Sequence, residues 1–314
     1  MKIKVLEPLG IPQTDLEKKL TAAVGNKAEL VFYPDRKTDI PSLVERCQDA
    51  DAVVLSNFPF PAEVIQESPL LKYICVAFTG FDHVDMEAVQ ARGIQVANAS
   101  GYSTVAVAEL VFGLTLSLLR KLPAADRAVR AGKTSHGLMG LELEGRTFGI
   151  IGLGHIGSKV AQLAQAFGCK VLAYNRSHKD IPGVNQVPLD QVLAESDIIS
   201  IHLPVNVETR GFINASRLAQ MKSTAILINC ARGPIVDEAA LAEALQQGKL
   251  AGAGIDVFDM EPPLPEDHPL LKAPNCILTP HVGFLSLEAM YKRADIVADN
   301  LRSWLAGDPL NLVN

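Results

Sequence analysis

Short apolar runs rich in β-branched residues alternate with longer amphipathic stretches along this chain, and that alternation limits the fold more than any other feature. Neighbouring parallel strands must be joined by crossovers of helix length. A strand–helix–strand rhythm therefore implies a largely parallel sheet covered by helices. Two such series follow one another. The first has strand-like runs at 3–6, 30–32, 52–55, 73–77 and 94–96, with helical segments such as 15–24 and 42–48 between them. The second has runs at 147–151, 170–174, 198–201, 225–229, 252–257 and 276–279, with helices such as 156–167 and 237–246. Six strands is the number a complete dinucleotide-binding sheet uses.

At 314 residues the chain is long enough for about two domains. A helical stretch at 104–120, followed by a second helix set off by Pro123, lies between the series and reads as the hinge. The tail at 286–305 is helical again, with apolar positions at Leu287, Met290, Ile296, Val297, Leu301 and Leu305. A terminal helix needs a sheet to cover, and the first series is the one lacking a closing element. The expected class is α/β, with two Rossmann-like, doubly wound parallel sheets. A discontinuous, flavodoxin-like domain is expected from residues 1–99 and 286–314, and a dinucleotide-binding domain from 100–285.

Composition removes several function classes. With 29 Lys+Arg against 35 Asp+Glu the net charge is −6, which argues against a general nucleic-acid binder or a polybasic membrane-surface protein. The opening Met-Lys-Ile-Lys-Val lacks the apolar core of a signal peptide. The most apolar stretch, 105–119, is interrupted by Glu109, Thr115 and Ser117 and falls short of a membrane span. Cys47, Cys75, Cys169, Cys230 and Cys276 are odd in number and form no CxxC pair. Neither a disulfide framework nor a metal site is expected, and a reducing cytoplasm fits.

The segment Ile150-Ile151-Gly152-Leu153-Gly154-His155-Ile156-Gly157 is a GxGxxG between a strand run and an amphipathic helix. In that context each glycine has a physical task. Gly152 makes the tight turn, Gly154 lets a diphosphate approach the backbone, and Gly157 lets helix and strand pack closely. The diphosphate would then rest on the helix N-terminus. The next strand ends in Asn175-Arg176-Ser177-His178-Lys179, where an NAD binder normally places an acidic residue for the ribose 2′-hydroxyl. Asn175 is neutral, and Arg176 and Ser177 offer charge and donors to a 2′-phosphate. NADP(H) is favoured, with NAD(H) the alternative; Arg176 as a solvated turn residue is the bland reading.

Further motifs carry a resemblance to a known family. They are Gly80-Phe81-Asp82-His83-Val84-Asp85, Val107-Ala108-Glu109, the glycine loop, and His202-Leu203-Pro204. Then follow Asn229-Cys230-Ala231-Arg232-Gly233-Pro234-Ile235-Val236-Asp237, Asp256-Val257-Phe258-Asp259-Met260-Glu261-Pro262 and Thr279-Pro280-His281. In this order and spacing the chain resembles the D-isomer-specific 2-hydroxyacid dehydrogenases, and the match covers essentially its whole length.

The resemblance implies that Arg232 clamps the substrate carboxylate and polarises its carbonyl. His281 would be the acid–base group and Glu261 the carboxylate that pairs with its imidazole and favours the imidazolium. Singly, each has a plainer reading: a helix cap, a structural histidine, a stiff turn before two prolines. The family's substrate segment falls on Phe78, Thr79 and Gly80. Asp256 matches the residue that meets the nicotinamide carboxamide. Thr104 falls where the family helix touches the cofactor phosphate, and Pro204 beside the adenine; without the resemblance these two are a helix cap and a strand terminator. His155, Ile156, His202, Cys230, Ala231 and Gly283 complete the implied cofactor set.

The sequence departs from the family pattern twice. Phe284 and Leu285 replace the small residues that usually follow the histidine, which would narrow the pocket or favour an apolar substrate tail. The arm that crosses to a partner subunit often carries a tryptophan, whereas here it reads Ser135-His136-Gly137-Leu138-Met139. A homodimer is still expected. The implied activity is NAD(P)-dependent reduction of a small-molecule 2-oxo acid, glyoxylate or hydroxypyruvate first. A larger apolar 2-oxo acid or phosphoglycerate is the alternative substrate. The competing class is a dinucleotide-sensing, corepressor-like binding protein.

Overall fold

The structure, a computed structural model, describes residues 1–314 and divides into two units, Met1–Ser103 with Leu285–Asn314, and Thr104–Phe284. The first unit holds strands β1 (Lys2–Val5), β2 (Glu29–Phe32), β3 (Ala52–Leu55), β4 (Tyr73–Val76) and β5 (Gln95–Asn98). Helices α1 (Gln13–Val24), α2 (Ile40–Cys47), α3 (Ala62–Gln66) and α4 (Met86–Ala91) connect them. All pairings are parallel, in the order β2-β1-β3-β4-β5. That is the flavodoxin-like order, with its switch point between β1 and β3. β3 and β4 are buried at every residue, which explains why their sequences are continuous apolar runs instead of alternating ones.

The second unit begins with helix α5 (Thr104–Leu119) and α6 (Leu122–Arg130), whose first turn contains Pro123. Its strands are β6 (Thr147–Ile151), β7 (Lys170–Tyr174), β8 (Val184–Gln186), β9 (Ile198–Ile201), β10 (Ile226–Asn229), β11 (Gly252–Ile255) and β12 (Cys276–Leu278). Between them run α7 (His155–Ala166), α8 (Leu189–Glu195), α9 (Ala215–Leu218) and α10 (Glu238–Gln246). The sheet order is β12-β11-β10-β9-β6-β7-β8, which is the dinucleotide-binding order with one extra strand. Alternate residues serve opposite faces. Phe148, Ile150, Ile198 and Ile228 pack with Val107, Val111 and Val160, while Ile151, Ile199, Leu227 and Ile255 pack with Val192, Leu241 and Leu245.

The sheet has seven strands, not the six read from the sequence. The strand absent from that reading is β8, three residues of Val-Asn-Gln at an edge, none of them buried, whereas the strand beyond the six of the dinucleotide-binding order is β12 at the opposite edge. A run as short as β8, with two of its three residues polar and no buried face, carries no periodicity to read.

The chain returns to the first unit as helix α11 (Leu287–Ala306), N-capped by Ser286, whose hydroxyl accepts the Ala289 N–H. Buried Asn300 donates to the Asn98 carbonyl at 2.9 Å, and Trp304 stacks on Tyr73 with 4.8 Å between ring centroids. Leu301 is fully buried. Leu301→Ala should cost about 2–4 kcal/mol through lost burial and the cavity left behind. Trp304 is the sole tryptophan, so its fluorescence during urea unfolding reads the first unit directly. An unchanged midpoint would show that this helix is not part of the unit's cooperative core.

Candidate active site

In the second unit β10, β11 and β12 lie side by side in parallel register, so the segments leaving them emerge at one edge. At the end of β10, Asn229 folds the chain outward. Its Oδ1 accepts the Ala231 N–H at 3.1 Å and its Nδ2 donates to the Arg232 carbonyl at 3.0 Å. Arg232 is extended, and its guanidinium donates to the Ala231 carbonyl at 2.8 Å. The next residue can only be glycine. A Cβ on Gly233 would stand 1.8 Å from the Phe258 carbonyl carbon and 2.3 Å from the Asp259 nitrogen. The Arg232 turn is thereby pressed against the segment that leads to Glu261.

Asp256 follows β11 and is 1% exposed. Its Oδ1 accepts from the Thr279 hydroxyl at 2.5 Å and the Val282 N–H at 2.9 Å, and Oδ2 accepts the Gly283 N–H at 2.8 Å. Burial pushes this carboxyl above the ordinary aspartate value, against the pull of those donors. Its backbone carbonyl accepts the His281 N–H at 2.8 Å. His281 is thus held at φ 54°, a left-handed conformation uncommon for residues other than glycine. Its Nδ1 lies 2.7 Å from Glu261 Oε1, and Phe284 meets the ring edge-on at 5.4 Å between centroids. A carboxylate only accepts, so Nδ1 carries the hydrogen and Nε2 is the ring nitrogen not engaged with Glu261. The His281 side chain is 14% exposed and that of Glu261 61%.

The glycine loop sits at the other switch point, between β6 and β9. Gly152 has φ 101°, and a Cβ there would stand 2.6 Å from the His202 carbonyl oxygen. A Cβ on Gly157 would stand 2.0 Å from the Gly152 oxygen, whereas one on Gly154 would meet nothing within 4 Å. Gly154 is also the N-cap of α7, whose first turn, including His155 and Ile156, has no side-chain cap and no acidic residue. Open space above uncapped N–H groups fits a dinucleotide's diphosphate. Thr104 is the first residue of α5, and Gly283 packs against Asp256 Oδ2. Cys230 is buried with its thiol pushed well up, so it offers no thiolate; Ala231 follows it in the turn.

Two features at the end of β7 were not legible in the sequence. Asn175 turns its Oδ1 onto the Leu153 N–H at 2.9 Å and its Nδ2 onto the Ser177 carbonyl at 2.7 Å, so it braces the glycine loop. Arg176 faces Glu208 at 3.9 Å, both largely exposed. Glu208 lies in a loop closed by Asn206 and Thr209, and the Thr209 hydroxyl donates to the Pro204 carbonyl at 2.7 Å. No local signal announces that contact, because β9 and β7 are separated in the sheet by β6. The Ser200–His202 contact, 2.9 Å from Oγ to Nε2, is local: His202 directly follows β9 and lies two positions past Ser200.

In the first unit, Phe78, Thr79 and Gly80 follow β4. The Phe78 carbonyl accepts the Ala99 N–H at 3.0 Å and the Thr79 carbonyl accepts from Asn98 Nδ2 at 2.7 Å. Asp85 of the same motif caps α4 by accepting the Ala88 N–H. No group of three or more His, Cys, Asp or Glu is arranged to hold a metal, and no helix is long and apolar enough to cross a membrane.

Residues 112–283, more than half of the chain, match the family model described as D-isomer specific 2-hydroxyacid dehydrogenase, NAD binding domain. A glyoxylate reductase of Korarchaeum cryptofilum is 39% identical over 100% of this chain and 96% of its own length. A hydroxypyruvate reductase of Blautia hydrogenotrophica is 37% identical over 100% of both. Among solved structures, an acyclic imino acid reductase in complex with NADPH and D-Arg superposes with a TM-score of 0.92 at 31% identity, covering 100% of each chain. The chain belongs to the D-isomer-specific 2-hydroxyacid dehydrogenase family. It is an oxidoreductase acting on CH–OH donors with a nicotinamide dinucleotide.

The three glycines should separate on mutation. Gly157→Ala is expected to lose about 2–3 kcal/mol of stability through overpacking against Gly152. Gly154→Ala should stay within about 1 kcal/mol of the wild type, yet weaken dinucleotide binding about tenfold or more, close to 1.4 kcal/mol. Thermal unfolding and fluorescence titration of reduced cofactor check both, and unchanged affinity in Gly154→Ala would remove the diphosphate from this loop.

Proposed function

We propose that the protein reduces a 2-oxo acid to the D-2-hydroxy acid, with glyoxylate or hydroxypyruvate as the first substrates and NADP(H) as the favoured cofactor. The observation that carries this reading is the direct His281–Glu261 contact at 2.7 Å. A bound nicotinamide dinucleotide supplies the hydride. Arg232 meets the substrate carboxylate and keeps positive charge beside the carbonyl oxygen as it becomes negative. His281 Nε2 delivers the proton to that oxygen and takes it back in the oxidative direction. Glu261 keeps the ring in the tautomer and orientation this requires. In this reading Thr104, Asn175–Ser177, His202, Pro204 and Asp256 line the cofactor.

One observation favours a second substrate class. Phe284 packs edge-on against His281, placing an aromatic wall beside the acid–base group, and this suits a larger apolar 2-oxo acid. For the cofactor, Asn175 and Arg176 support NADP(H), although Glu208 stands close enough to Arg176 to compete with a 2′-phosphate. A homodimer in the cytoplasm accords with exposed Val129, Met139 and Leu141 near the arm and with five free cysteines, four of them buried.

The test is absorbance at 340 nm with glyoxylate, hydroxypyruvate, pyruvate and phenylpyruvate against NADPH and NADH. His281→Ala should lower kcat by about 10²–10⁴-fold. Arg232→Ala should lower kcat by about 10²–10³-fold and raise KM for the 2-oxo acid. A lower KM for NADH than for NADPH would overturn the cofactor preference. No cofactor oxidation with any 2-oxo acid would move the chain to the dinucleotide-sensing class.

A further inference from the structure

Glu261 is mostly exposed, so burial does little to hold it against His281, and the path of its loop contributes to its placement. That loop leaves β11 and returns at the 3-10 turn Pro269–Lys272. Both of its arms are tied to one residue. Glu238, first in α10, accepts the Asp259 N–H on Oε1 at 3.1 Å, and its Oε2 lies 3.1 Å from His268 Nε2. Asp259 is two residues before Glu261, and His268 closes the far side. The Glu238 and His268 side chains are 15% and 9% exposed.

The clip is built into its surroundings. Asp237 caps α10 on the Ala240 N–H, so the Glu238 carboxylate stands at the helix N-terminus, where negative charge is favoured. Phe258 meets the His268 ring edge-on, and His268 Nδ1 is buried with no hydrogen-bond partner, so the ring's hydrogen bond to Glu238 is made through Nε2. A further charged pair on this segment, Arg210 with Asp259 at 3.4 Å, is exposed and weak. Gly233, pressed on Phe258 and Asp259, joins the same point to the Arg232 turn.

We propose that Glu238 and His268 are positioning residues, a carboxylate clip that closes the base of the 259–268 loop and so delivers Glu261 to His281. The inference rests on the acid–base reading of that pair. Neither residue touches substrate or cofactor in this account; both act through Glu261.

The test compares kcat and KM for glyoxylate reduction in full-length Glu238→Ala, His268→Ala, His268→Gln, Glu261→Gln and the double variant Glu238→Ala/Glu261→Gln. Cofactor affinity is read from NADPH fluorescence. Glu238→Ala should lower kcat about 10- to 100-fold, as misplacement of a reacting group does, with cofactor affinity unchanged. The double variant should be no slower than Glu261→Gln alone, because the clip has nothing left to position. His268→Gln, which keeps a donor for Glu238, should recover most of what His268→Ala loses. If Glu238→Ala does not fold, the histidine pair carries the same comparison. Multiplying losses in the double variant, wild-type kcat in Glu238→Ala, or no rescue by glutamine would each overturn the clip. Wild-type kcat in Glu261→Gln would overturn the acid–base reading itself, and the clip with it.

Discussion

One buried carboxylate ties the His281 corner together. Asp256 sits at the end of β11 and gathers Thr279, Val282 and Gly283 from the segment leaving β12, while its carbonyl takes the His281 N–H. Burying a charge without partners is costly, and here three donors offset that cost. The arrangement forces the chain through a sharp turn, and His281 occupies a left-handed conformation worth about 1–3 kcal/mol of strain. Strain of that kind persists only where the surroundings over-determine it. At this corner they do, and the imidazole ends up facing Glu261.

The sheets supply the frame on which this turn is precise. In each unit the parallel order reverses once; the glycine loop leaves β6 at that reversal, and the Arg232, Glu261 and His281 segments leave the carboxyl ends of β10, β11 and β12 toward one edge of the sheet. β9 and β10 are buried at every residue, so they cannot shift register without exposing apolar side chains. Side chains one to three residues beyond such strands inherit their rigidity. Glu261 lies farther out, and its placement needs contacts of its own.

Much of the architecture was legible because both faces of these sheets are covered. Strands such as Ala52–Leu55, Thr147–Ile151, Lys170–Tyr174 and Ile198–Ile201 stand as their apolar runs suggest. β8 was not legible: it is a strand by virtue of its partner β7 and not of its own residues. The site divides the same way. The glycine loop, the Arg232 turn and the Thr279-Pro280-His281 segment are local words with local geometry. Asn175 was read as the neutral end of a ribose site, and its carboxamide is engaged with Leu153 and Ser177. Glu208 was not singled out at all.

The order of apolar runs and glycines in this chain was enough to determine two parallel α/β sheets and the tight glycine turn between β6 and α7, because strand periodicity, backbone freedom and helix N-termini are properties of neighbouring residues. Only the tertiary structure decided which distant side chains meet: Glu261 with His281, Arg176 with Glu208, Glu238 with both arms of one loop. Those contacts depend on strand order and on where loops cross, and both are settled by packing across the sheet, which no stretch of sequence contains.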